Sequence, residues 1–237
     1  MAAVITVALL MMTLPPAMST GLWQFSAVFP NRSEENHVTL LPLRYVPLDA
    51  LTLCMRLASE DLFRDVILFS YAGQDSPNEL HVWLEVDGRY AFYIRDHVAY
   101  FKLPPLDDIL RHLCFTWESD TGATTVWMDG QPSRKKVMAR GQAVRIPVVV
   151  MIGQDQDVVG GSFEAGQSFV GVQRDVHLWD YVLPASKIKS VAQGTARLGG
   201  NIINWDRGNF KAEGNVQFEP VLDSLELASE QSCHSYM

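Results

Sequence analysis

A chain of 237 residues, 48% hydrophobic and 19% charged, has enough apolar material for one sizeable core, which excludes wholesale disorder. Its formal charge of −8 excludes a general nucleic-acid binder, because an acidic surface repels phosphate backbones unless a divalent cation bridges them. No stretch beyond residue 20 is apolar enough to span a bilayer.

The first nineteen residues read as a secretory signal peptide. Met1 to Met12 is almost wholly apolar, Pro15 and Pro16 follow, and Ala17-Met18-Ser19 supplies the small residues of a cleavage site, although the n-region has no Lys or Arg. Asn31-Arg32-Ser33 is a sequon, so Asn31 is the expected glycosylation site. Short runs rich in β-formers then succeed one another: 37–40, 51–57, 66–71, 80–86, 90–94, 98–101, 113–117, 124–128 and 148–152. Asp87-Gly88 and Asp129-Gly130 lie between such runs, where hairpin turns want them. The pattern predicts an all-β, two-sheet antiparallel sandwich. In an oxidising compartment Cys54 and Cys114 are expected to pair, closing a loop whose entropy is worth about 4 kcal/mol. Cys233 is left over, either for another chain or as a free thiol.

Between Gly153 and Gln167 the chain has no helical period but gathers Asp155, Asp157 and Glu164 with Gln154, Gln156 and Gln167 among four glycines. Hard cations take six to eight oxygen ligands, so this segment reads as a calcium loop and points to binding rather than catalysis. One short helix is expected near 185–193, opened by Pro184 and closed by Gly194. The end, 219–237, is an acidic extension carrying Glu219, Asp223, Glu226 and Glu230.

His112, Cys114, Thr116, Trp117 and Ser119 fill every fixed position of the pattern His-x-Cys-x-Ser/Thr-Trp-x-Ser/Thr. Val126-Trp127-Met128-Asp129-Gly130, the acidic loop, and Val176 to Leu183 follow in order. The chain resembles the short pentraxins over roughly Phe25 to Phe218, and residues 20–218 are taken as that domain. The resemblance implies a jelly-roll sandwich similar to lectins and laminin-G domains, a homo-pentameric ring, and no enzymatic activity. It also implies two calcium ions per protomer. The first would be held by Asn78, Asp155, the backbone carbonyl of Gln156 and Asp157. The second would be held by Asp155, Asp157, Glu164 and Gln167. Two departures point to weaker or fewer ions, one in place of two: Pro77 stands where the family has an aspartate, and Asp155 where its familiar members carry glutamate. Asp75 is a candidate substitute for that aspartate if the loop folds back.

The family's ligand pocket maps onto Trp83, Tyr93 and Val98; Tyr93 is bulky and Val98 brings no negative charge, which argues against phosphocholine specificity. Phosphate-, carboxylate- or glycan-bearing ligands bridged by calcium remain the expected class, and the resemblance adds complement components as partners and innate immunity as the setting. Trp117, Trp127 and Trp179 are expected to be core. The six histidines lack His-x-x-x-His spacing, so zinc is not expected. Arg134-Lys135-Lys136, with Arg140 and Arg145, reads as a solvated face. Neither Glu-x-Asp-x-x-Glu nor Gly-x-Ser-x-Gly occurs, which removes the signatures of a glycosidase or serine hydrolase on such a sandwich. The rival reading is a calcium-independent structural or interaction protein on the same fold.

Overall fold

Strand formers with inward apolar residues dominate the described chain, residues 19–221 of a computed structural model. The expected signal peptide, apart from Ser19, and Cys233 with most of the acidic extension lie outside those residues. The first strands are β1 (Ser19–Thr20), β2 (Phe25–Phe29), β3 (His37–Leu40), β4 (Ala50–Ala58), β5 (Val66–Gly73) and β6 (Ser76–Leu84). Next come β7 (Arg89–Ile94), β8 (His97–Lys102), β9 (Arg111–Glu118), β10 (Ala123–Met128), β11 (Gln131–Pro132) and β12 (Lys136–Val137). The chain continues through β13 (Pro147–Ile152), β14 (Gly171–Trp179), α1 (Ala185–Ala192), β15 (Ile203–Asn204), β16 (Asn209–Glu213) and β17 (Gln217–Pro220).

One sheet runs β1-β16-β3-β13-β5-β6-β7-β8, the other β11-β10-β9-β4-β14-β2-β17, with β12 on β10 and β15 on β14. The inner faces meet in one core: Val38, Phe69, Tyr71, Phe92 and Val150 from the first sheet pack with Leu53, Phe115, Val126 and Leu178 from the second. Burial of each such side chain contributes about 1.5–3 kcal/mol. The expected two-sheet sandwich with one helix is what the described residues build.

Cys54 and Cys114 face each other in register on β4 and β9 and are joined by a disulfide. Trp179, Leu183 and Ile188 of α1 close over them, with Trp127 alongside. Arg56 donates to the carbonyls of Val191 and Ala192 (2.8 and 3.0 Å), so a guanidinium from β4 caps the helix C-terminus. Asp129 and Gly130 both take positive φ (49° and 77°), the two-residue hairpin geometry that matches strand twist.

Ser70 organises the site end. On β5 it stands opposite His81 of β6 on one side and opposite Met151 of β13 on the other. The acidic loop leaves β13 at Gly153, whose φ of +96° and tight surroundings demand glycine: a Cβ there would run into the Phe29 ring and lie 2.8 Å from the Asn36 carbonyl. Gln154 ties the loop down by donating to the Ser33 and Asn36 carbonyls.

Candidate metal centre

Asn78, His81, Trp83, Tyr93, Arg95, Asp96 and Asp155 line a cavity of about 370 Å³ where β6, β7 and the acidic loop meet. His81 and Tyr93 are register partners, and Trp83 follows His81 by two on the same face of β6. Val98, the third pocket position by resemblance, pairs with Tyr93 but does not line this cavity. Arg95 and Asp96, which the sequence reading missed, form its rim at the β7–β8 turn. The Tyr93 hydroxyl meets that of Tyr100 at 3.3 Å, and burial followed by this contact raises its pKa.

Asp155 is 6% exposed, and its Oδ1 has no hydrogen-bond partner. Burial pushes its pKa up to about 6; the nearby charges of Asp157 and Glu164 push the same way, while a hydrogen bond from the Gln156 backbone pulls it down. Asp157 and Glu164 are exposed on the loop. Gln167 is half-buried, and its Oε1 is likewise without a partner. Among the described residues these carboxylates do not converge within 4.8 Å of one another. Such a group, mutually repelling and holding orphaned buried oxygens, fits a hard cation, which would supply the missing partner and the compensating charge.

Gln156 is committed elsewhere with its side chain. Its amide donates to Ser70 Oγ at 3.0 Å, and its Oε1 accepts from Gly160 N at 2.9 Å, so only its backbone carbonyl is left for an ion. Asn78 is exposed at the cavity mouth. Asp75, the considered substitute for the missing aspartate, is spent on Arg145 at 3.1 Å and does not line the cavity. Pro77 supplies a carbonyl that accepts from His81 Nε2 at 2.9 Å.

Arg145 does not belong to the solvated basic face where the sequence reading put it. Its Nε donates to Glu79 Oε1 at 2.6 Å, its Nη2 also meets that oxygen, and its backbone N–H donates to Oε2 at 2.9 Å. Glu79 is fully buried, next to Asn78 on β6, so the pair braces the strand that carries the cavity wall. Arg145→Met leaves that carboxylate with only the backbone N–H of residue 145 and Arg95 at 3.9 Å, and is expected to cost about 3 kcal/mol by urea denaturation; a loss below about 1 kcal/mol would contradict the brace.

Arg134, Lys135 and Lys136 are exposed as expected, and Lys136 Nζ lies 5.0 Å from the centre of the Phe101 ring. Trp117 and Trp179 are buried, and Trp127 is half-buried against the disulfide. Asn31 is exposed, its side chain donating to the Arg32 carbonyl at 2.7 Å. Among the described residues no helix is long and apolar enough to cross a membrane.

The sequence profile of the Pentaxin family matches residues 26–220. C-reactive protein of Danio rerio is 43% identical over 192 residues, covering 79% of this chain and 85% of the relative. Serum amyloid P-component of Homo sapiens is 40% identical over 195 residues, covering 82% and 86%. Among solved structures, the native heptameric SAP-like pentraxin from Limulus polyphemus superposes with a TM-score of 0.74 at 22% identity, covering 85% of this chain and 97% of that one. Domains LG4-5 of the mouse laminin α1 chain give 0.57 at 13% identity, covering 88% and 49%, a likeness of fold alone. C-reactive protein and serum amyloid P-component are not enzymes, and this chain, homologous to both, belongs to the pentraxin family.

Proposed function

We propose that this chain is a secreted, calcium-dependent recognition protein for phosphate-, carboxylate- or glycan-bearing ligands on microbes or debris. One observation carries the reading most directly: the buried carboxylate of Asp155, whose Oδ1 has no hydrogen-bond partner, stands in a repelling acidic group at the wall of a cavity. Asn78, Asp155, Asp157, Glu164, Gln167 and the carbonyl of Gln156 would hold two calcium ions, or one where the lost aspartate at Pro77 leaves a set incomplete. Bound calcium supplies positive charge to which an anionic ligand coordinates directly. Trp83 and Tyr93 give the ligand an apolar wall, while Arg95 and Asp96 present opposite charges at the rim and favour a ligand with both an anionic and a cationic or hydroxylated part. The disulfide supports an oxidising, extracellular setting.

Assembly into a pentameric ring would turn weak single-site contacts into firm retention by linking the sites. Complement components are the proposed partners of such a ring once it is ligand-bound. Retention on a phosphate-bearing or agarose matrix in calcium, with release by a chelator, tests the reading. Asp157→Ala is expected to lower retention at least tenfold while leaving the melting temperature of the metal-free protein within about 2 °C, since the residue is exposed. Equal retention of both proteins after chelation would instead favour the calcium-independent interaction protein.

A further inference from the structure

His81 is 3% exposed and reaches Asp155, with its Nδ1 3.2 Å from Asp155 Oδ1. Its other nitrogen fixes the tautomer. Nε2 lies 2.9 Å from the Pro77 carbonyl, which can only accept, so Nε2 carries the hydrogen and Nδ1 of the neutral ring is a bare lone pair. That lone pair lies 3.2 Å from a carboxylate oxygen which has no hydrogen-bond partner. Two buried acceptor atoms thus stand face to face, an arrangement that a shared proton or a shared cation relieves.

The geometry points to a second kind of metal site at the inner end of the cavity, in which His81 Nδ1 and Asp155 Oδ1 together take a zinc-class divalent ion. Nitrogen and oxygen ligands about 2.0–2.1 Å from a tetrahedral zinc lie about 3.3 Å apart, close to the separation found. An imidazole in an otherwise all-oxygen set shifts preference from calcium toward zinc, copper or nickel. Pro77 orients the imidazole from behind, as outer-shell carbonyls do for metal-bound histidines. The remaining coordination positions open on the cavity, where solvent or a ligand atom completes them. The six histidines show no His-x-x-x-His spacing, so no local pattern signals zinc. Here the partner of the single histidine is a carboxylate from another strand connection.

The inference deepens the cation-site reading and rests on it for the role of Asp155. Metal-free protein titrated separately with zinc and with calcium separates the two, with His81→Gln as the first variant and His81→Leu as the second should glutamine fail to fold. Zinc affinity is expected to fall at least tenfold in the variant, calcium affinity to change less than threefold, and zinc to raise the melting temperature of the native protein only. Equal zinc affinity with and without His81 overturns the nitrogen site and leaves the calcium reading standing; zinc uptake through His81 without calcium uptake does the reverse. Zinc-edge anomalous diffraction from crystals of the native protein needs no variant: a peak bonded to His81 Nδ1 is expected, and zinc found only at other histidines overturns the proposal.

Discussion

Replacing Cys54 and Cys114 together by alanine lowers the unfolding free energy by about 4 kcal/mol, in urea denaturation followed by tryptophan fluorescence. The bridge closes a 60-residue separation, and the chain-entropy model gives that magnitude for a loop of this length. At about 2–4 °C per kcal/mol for a domain of this size, the melting temperature falls by about 8–16 °C. The variant also removes packing, because both cysteines belong to the small cluster that seats Ile188 of α1 and Trp179. A cost below about 1 kcal/mol would mean that the directly opposed β4 and β9 hold the register unaided.

Acid weakens the fold through its neutral buried histidines. Burial lowers the His112 pKa to about 3 and that of His81 to about 4, from an ordinary 6.5; His177 and His37 shift the same way and for the same first cause. A depressed pKa means that the unfolded chain takes up protons before the folded one does. This stability is whole above pH 6.5 and is lost progressively as pH falls toward 4 and then 3. Asp155 works in the opposite sense, since its pKa of about 6 favours the metal-free fold as pH falls below 6. At pH 4.5 His112 costs on the order of 2.5 kcal/mol relative to pH 7, while His81 and Asp155, 3.2 Å apart, take up protons as one pair whose contributions oppose each other. His112→Asn should remove most of the His112 contribution. Equal stability at pH 7 and 4.5 would contradict the account.

The strands were legible wherever β-branched and aromatic residues ran uninterrupted, as in β5 or β9. β14 shows in the sequence only through the family match from Val176 onward, because Gln173, Arg174 and Asp175 precede it. The register shift between Arg174 and His177, with Asp175 at φ 53°, explains why alternation fails there. β6 starts at Ser76 rather than Leu80, and Pro77 and Glu79 disguise that start. The family signature on β9 was read correctly, yet His112, Cys114, Thr116, Trp117 and Ser119 are all buried. Trp117 donates to the Met138 carbonyl and Ser119 to that of Gln142, so the pattern marks how one loop is pinned rather than where a ligand sits. Around the candidate centre the loop carboxylates were visible because they are neighbours in sequence. The His81–Asp155 contact was not, because it depends on β6 and β13 flanking β5, a pairing that no local spacing encodes. The Glu79–Arg145 brace was hidden for the same reason.

Calorimetric titration of calcium into the purified metal-free protein, with thermal melting followed in parallel, tests the central claim most directly. Saturable binding that raises the melting temperature, and that Asp157→Ala largely abolishes, is the predicted result. No heat and no stabilisation at millimolar calcium would contradict metal-mediated recognition and leave a pentraxin scaffold whose ligands bind without it.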